Sequence, residues 1–213
     1  SRLTDLCEAP RVMCSSCDLT VIKHLVSVLN MRATPSRNKA ARIKHPFEIW
    51  GAACKAMDDA HTNDELTPLH RSCAYRDALA LGLLALRPIR LKNLTQLTLS
   101  EHLRFDGSQW QCSFSGCETK DKQPLHFALP TDVTFVTCFE RYLTEHRPVL
   151  LRDPHDEIAG ILPSQLTGPL WISIRRKRMS QQALYCNICQ LSERLLGVRL
   201  NPHLMRDCAA SAM

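Results

Sequence analysis

The sequence predicts an α+β fold, mainly α, in which a helical domain carries a small three-stranded antiparallel sheet. Three observations predict it. The stretch "YRDALALGLLALR" is apolar nearly all round and reads as a buried central helix. Short β-like stretches follow it, and helical apolar stripes lie before and after them. The pattern is neither a repeating strand–helix alternation nor an all-β one.

The elements follow in order. Leu19, Ile22, Val26 and Leu29 make a helical stripe with Asp18 as its N-cap. It reads as the last helix of a truncated neighbouring domain, residues 1–33. A linker, 34–46, is poor in apolar residues, is bracketed by prolines and carries Arg37, Lys39, Arg42 and Lys44. Such a stretch is either a solvated tether or a strand of charge laid along a phosphate backbone. The main domain, 47–213, opens with a helix bearing Phe47, Ile49, Trp50, Ala53 and Met57, with Pro46 in its first turn. The central helix then runs into Arg87, and Pro88 ends or kinks it.

Three strands are expected next, "LTLSEHLRF", "QWQCSFS" and "QPLHFALP". Asp106–Gly107 signals a hairpin between the first two, and the loop "GCETKDK" precedes the third. Thr131 and Asp132 cap a helix with Phe135, Val136, Phe139, Tyr142 and Leu143 on one face. The Pro-rich stretch from Arg147 to Gly168 reads as loop, "LWISI" as a short strand, and Arg175, Arg176, Lys177 and Arg178 as a basic turn. Ser180 caps a last long helix with Leu184, Ile188, Leu191 and Leu195, closed by Gly197.

At 213 residues, 45% hydrophobic and 23% charged, the chain has the make-up of a globular domain with a good core plus a smaller piece. No apolar run reaches the length of a membrane span, and "SRLTDLCEAP" lacks the pattern of a signal peptide; it looks like an interior segment exposed by a cut. The net charge of +6 favours a polyanionic partner. Eleven cysteines include two pairs at metal-like spacing, Cys14–Cys17 and Cys186–Cys189. The second pair lies within a helical pattern and the other cysteines are scattered among apolar residues, so they read as small buried hydrophobes rather than zinc ligands. The odd count without a secretory signal points to reduced thiols in a cytosol.

The polar residues at the joints of this layout suggest a chemistry. Arg87 ends the most buried helix, where an arginine is costly unless it meets an anion. Lys120 and Lys122 sit in the loop before the third strand. His203 and Arg206 open the final helix three residues apart, on one face, beside the free amides of its N-terminus. Two arginines, a histidine and a lysine without a carboxylate cluster describe a site for one phosphate. With no Walker-type glycine loop and no acidic pair to hold magnesium, cofactor and metal are both expected to be none.

The same residues carry a resemblance. "LALGLLALRPIRLKNLTQLTL" resembles the first arginine box of the tyrosine recombinases, the phage-integrase type. "CETKDKQPLHFALP" is similar to their lysine-bearing hairpin, and "NPHLMRDCAAS" to their His-x-x-Arg box. "GPLWISIRRKRMSQQALYCNICQLSERLLG" resembles the segment that usually precedes that box. The resemblance spans roughly Phe47 to Met213. It implies that Arg87 and Arg206 hold the non-bridging oxygens of a scissile DNA phosphate. Lys120, preferred to Lys122 for its distance from "ALP", would protonate the leaving 5′-hydroxyl, and His203 would help with proton transfer. Arg90 stands where the family often has an acidic residue, and Asp207 where many members have a second histidine.

The resemblance also implies site-specific strand cleavage and rejoining through a 3′-phosphotyrosine, by protomers that assemble as a tetramer on double-stranded DNA. The expected setting is bacterial, cytoplasmic and nucleoid-associated. The family's tyrosine nucleophile follows the His-x-x-Arg box, whereas Tyr75, Tyr142 and Tyr185 all precede it. The chain as written is therefore expected not to cleave DNA by itself. The alternatives are a non-catalytic DNA-binding protein derived from a recombinase, a type IB topoisomerase-like enzyme, and a zinc or redox protein built on the CxxC pairs.

Overall fold

The structure, a computed structural model, describes residues 18–32, 40–152 and 167–211. The chain divides into two units, Ser1–Asn38 and Lys39–Met213. In the first, helix α1 (Thr20–Arg32) begins where Asp18 accepts hydrogen bonds from the Thr20 amide and hydroxyl. Ile22 and Val26 of its stripe are half-buried and Leu29 is exposed. Arg37 and Lys39, like Cys14 and Cys17, lie outside the described residues.

The second unit starts with a 3₁₀ turn (Ala40–Arg42) and helix α2 (Pro46–Thr62), with Pro46 at its first position. Ile49, Ala53, Met57 and Ala60 are its buried residues. Phe47, expected on the same face, is 70% exposed. Two residues before Ile49, it stands about 200° round the helix and so on the opposite side. Helix α3 (Pro68–Leu86) is the central element, buried nearly all round as its composition requires. At Gly82 a Cβ would stand 2.7 Å from the Trp50 ring, so only glycine lets α2 and α3 approach this closely. Pro88 follows directly on the end of α3, and the short helix α4 (Leu91–Gln96) comes next.

The sheet departs from the expected three antiparallel strands. "LTLSEHLRF" is not one strand: the chain turns at Ser100, where φ is 68°, giving β1 (Thr98–Leu99) and β2 (Leu103–Phe105). The His102 amide donates to the Thr98 carbonyl at 2.9 Å and the Ser100 amide to the Leu103 carbonyl at 3.0 Å, which closes that turn. Strands β3 (Trp110–Phe114) and β4 (Leu125–Ala128) follow, and β5 (Gly168–Pro169) arrives from far along the chain. The order is β4-β3-β2-β1-β5, antiparallel except for the parallel β1–β2 contact at Leu99–Leu103. The sheet is therefore five-stranded and mixed. The hairpin at Asp106–Gly107 forms as its sequence indicates, with Asp106 Oδ1 accepting from the Ser108 and Gln109 amides at 2.9 Å.

Helix α5 (Val133–Arg141) is capped by Asp132, passes into a π turn (Tyr142–His146) and continues as α6 (Arg147–Leu151). The loop expected from Arg147 onward thus begins as helix, and residues 153–166 lie outside the described residues. Pro148 stands in the first turn of α6, where a helix tolerates a proline, and the buried Arg147 guanidinium donates to the Thr167 carbonyl at 2.6 Å and to the Pro169 carbonyl at 2.9 and 3.0 Å. "LWISI" is not a regular strand. Leu170, Trp171 and Ile172 enter the core, and Ile172 makes one isolated bridge to Arg178.

Helix α7 (Gln181–Leu196) runs from its Ser180 cap to left-handed Gly197, and α8 (Pro202–Ala210) starts at Asn201. Cys186 is half-buried and Cys189 buried on α7. Among the described residues no helix is long and apolar enough to cross a membrane.

Candidate functional site

Arg87 and Arg90 stand three residues apart with different surroundings. Arg87 closes α3, its amide bonding to the Leu83 carbonyl at 2.7 Å. Its side chain is exposed and donates to the carbonyls of Ala128 at 3.1 Å and Leu86 at 3.3 Å. The central helix surfaces at this end, so the argument that burial forces Arg87 onto an anion does not hold. Arg87 lines a wide cleft with His45, Phe47, Trp50, Pro130 and Ala209.

A separate cavity of about 370 Å³ is lined by Arg90, Leu91, Lys120, Tyr185, Pro202, His203 and Arg206. The structure thus brings Lys120, His203 and Arg206 together, with Arg90 beside them in place of Arg87. Among the described residues no Asp or Glu lines the cavity itself, although the Asp121 carboxylate meets Arg90 at its edge.

Each cation is held by local structure. Arg90 is the extended residue just before α4, and its Nη2 donates to Asp121 Oδ2 at 2.8 Å. The buried Asn93 anchors α4 by donating to the Glu118 carbonyl at 3.4 Å. Lys120 follows a 3₁₀ turn (Gly116–Glu118) capped reciprocally by Ser115 and Glu118. The Glu118 carboxylate accepts from the Ser115 hydroxyl at 2.6 Å, the His102 ring at 2.7 Å and the Ser115 amide at 2.8 Å. These bonds, that of the Ser115 hydroxyl first, pull its pKa down to about 2. Lys122 is exposed at a φ of 56°, and its carbonyl lies where a Cβ on Gly116 would meet it at 2.6 Å. The Thr119 hydroxyl donates to the Gln123 carbonyl at 2.7 Å across the base of this loop.

Helix α8 presents the other pair. Asn201 Oδ1 accepts from the Leu204 amide at 2.8 Å and starts the helix. Pro202, Leu204, Met205 and Cys208 are buried, which turns His203 and Arg206 outward on one face. Tyr185, on α7, completes the lining. Tyr75 and Tyr142 are buried elsewhere, with their hydroxyls donating to the carbonyls of Cys138 at 3.1 Å and Leu170 at 2.8 Å.

The other basic residues divide by their contacts. Arg42 donates to the Arg199 carbonyl, and Lys44 pairs with Glu48 at 2.8 Å. Arg178 is turned onto the fold, donating to the Thr95 carbonyl at 3.2 Å and the Thr98 hydroxyl at 2.9 Å. Arg175 and Lys177 are exposed at the tip of that turn, where Arg176 has a φ of 60°.

Arg90 and Tyr185 are the polar cavity residues that the sequence reading did not choose. A signal for Arg90 was present in "RLKNL", where a buried asparagine and leucine one turn on fix the start of a new helix at the arginine. Tyr185 lies in a helix whose apolar stripe masks it. No protein-family model matches the chain, and neither a curated protein nor a solved structure does.

Proposed function

We propose that this chain binds double-stranded DNA as a strand transferase of the tyrosine-recombinase type, with the scissile phosphate seated in the Arg90–Lys120–His203–Arg206 cavity. The observation that carries the reading is the convergence of four basic side chains, from three separate segments, on one cavity, with Asp121 paired to Arg90 at its edge. Arg90 takes the role that the sequence resemblance assigned to Arg87.

In this mechanism the two guanidinium groups make charge-assisted hydrogen bonds to the non-bridging oxygens and stabilise the charge that builds there in the transition state. The amides at the start of α8 add their dipoles on the same side. A tyrosine hydroxyl supplied from outside these four residues attacks phosphorus and forms the 3′-phosphotyrosine bond as the bond to the 5′-oxygen breaks. Lys120 delivers a proton to that leaving oxygen, and His203 hydrogen-bonds the phosphate and assists removal of the tyrosine proton. Lys122, Arg175 and Lys177 contact neighbouring phosphates, and other protomers of the same kind complete the assembly on DNA.

The test is the affinity for a DNA duplex measured over a range of salt concentrations. Arg90→Ala and Arg206→Ala should each weaken binding and reduce the slope of log affinity against log salt by about one. Arg87→Ala should change neither. Affinity independent of salt, or loss on removing Arg87 but not Arg90, would overturn the reading.

A further inference from the structure

At the end of α2, His61 meets the π turn that joins α5 to α6. His61 Nδ1 stands 3.4 Å from His146 Nε2 and 3.8 Å from Glu145 Oε2. One ligand atom from each of the three residues lies within 4.8 Å of the others. We propose that His61, Glu145 and His146 bind one zinc ion, with a water as fourth ligand.

The spacing suits that ion. Tetrahedral zinc, with bonds of about 2.0–2.1 Å, holds neighbouring ligand atoms about 3.3–3.4 Å apart. The two imidazole nitrogens already have this separation, and the exposed Glu145 carboxylate closes the remaining gap by side-chain rotation. Two imidazoles and one carboxylate also select zinc over magnesium or calcium, which prefer oxygen donors alone.

The surroundings do what ligand-supporting groups do. Ser72 Oγ lies 3.2 Å from His146 Nδ1, placed to accept from that nitrogen in the tautomer that leaves the Nε2 lone pair facing His61. Tyr75 stacks on the His146 ring at 4.0 Å and fixes its plane. Glu145 and His146 come from a π turn, a departure from regular helix met frequently at functional sites. A cavity of about 240 Å³, lined by His61, Arg71, Ser72, Glu145 and His146 among others, leaves room for the fourth ligand. Arg71 Nε is buried without a hydrogen-bond partner, and a zinc-bound water is an acceptor of the kind it lacks. The neighbouring guanidinium charges are offset by carboxylates, Asp64 at 3.2 Å from Arg71 and Asp58 at 3.8 Å from Arg141. The ion would tie the end of α2 to the junction of α5 and α6, independently of the DNA reading.

The experiment loads the full chain with zinc chloride, dialyses it against metal-free buffer and counts bound zinc. The wild-type chain should hold one equivalent more than His61→Asn. Glu145→Gln, which changes an exposed side chain and leaves packing intact, should weaken zinc binding at least tenfold, and Ser72→Ala about 10- to 100-fold. Cobalt(II) in the site should give the visible absorption of a tetrahedral nitrogen–oxygen site, without the thiolate charge-transfer band that cysteine ligands produce. Equal zinc in the wild type and both His61→Asn and Glu145→Gln, or a cobalt spectrum of thiolate character alone, overturns the proposal.

Discussion

Arg90 Nη2 and Asp121 Oδ2 meet at 2.8 Å, and Asp121 lies between Lys120 and Lys122 in the loop that borders the cavity. The carboxylate occupies the guanidinium that the proposed phosphate needs, so a DNA phosphate bound as proposed has to displace it. Asp121→Asn should therefore raise duplex affinity about two- to fivefold at low salt, the range of an exposed ion pair. The gain should shrink as salt screens the pair. Fluorescence anisotropy with a labelled duplex measures it, and unchanged affinity would mean that Asp121 and DNA do not compete.

Arg175 and Arg178 share one basic turn but should behave oppositely. Arg178 holds the Thr95 carbonyl and the Thr98 hydroxyl, so Arg178→Ala should lower stability by about 1–3 kcal/mol. Arg175 is exposed at the tip, and Arg175→Ala should weaken DNA binding with stability unchanged. Urea unfolding and DNA titration of the two variants separate the roles.

The lysine loop depends on Gly116. A Cβ there would lie 2.6 Å from the Lys122 carbonyl, a backbone atom that cannot turn away. Gly116→Ala should cost roughly 1–3 kcal/mol of stability or shift the loop, and DNA affinity should fall with it. Wild-type stability and affinity together would show that the loop moves freely.

Acid should loosen the same loop. Glu118 has its pKa lowered from 4.5 to about 2 by hydrogen bonds that the unfolded chain lacks. A depressed carboxylate contributes stability fully above about 4.5 and loses it as pH falls toward about 2. Urea midpoints of the wild type and Glu118→Gln should differ at neutral pH and converge across that window. A gap independent of pH would assign the effect to packing instead.

Helix starts and stops were legible because each is a local event. Asp132 and Ser180 cap the helices that follow them, Asp18 accepts from Thr20 at the start of α1, and Gly197 ends α7 in the left-handed conformation that favours glycine. The reading of α3 as a buried centre also needed nothing but composition, since a helix apolar all round has to be covered on every side. The Asp106–Gly107 hairpin and the shared face of His203 and Arg206 are likewise matters of a few residues.

By itself, then, the amino-acid order determined a mainly helical α+β chain, most of its helix boundaries and the basic residues available for a phosphate. Tertiary structure decided the rest. Gly168–Pro169 became a strand because β1 offered an edge to pair with, and the buried Arg147 guanidinium found its acceptors on carbonyls some twenty residues away. Arg90 rather than Arg87 borders the cavity because a helix end, Pro88 and buried Ile89 lie between them. His61 and His146, 85 residues apart, meet because α2 and the π turn both pack on α3. The physical reason is the same in each case. Caps and periodicity act over one or two turns, whereas pairing partners, carbonyl acceptors and cavity walls are supplied by segments that only folding brings near.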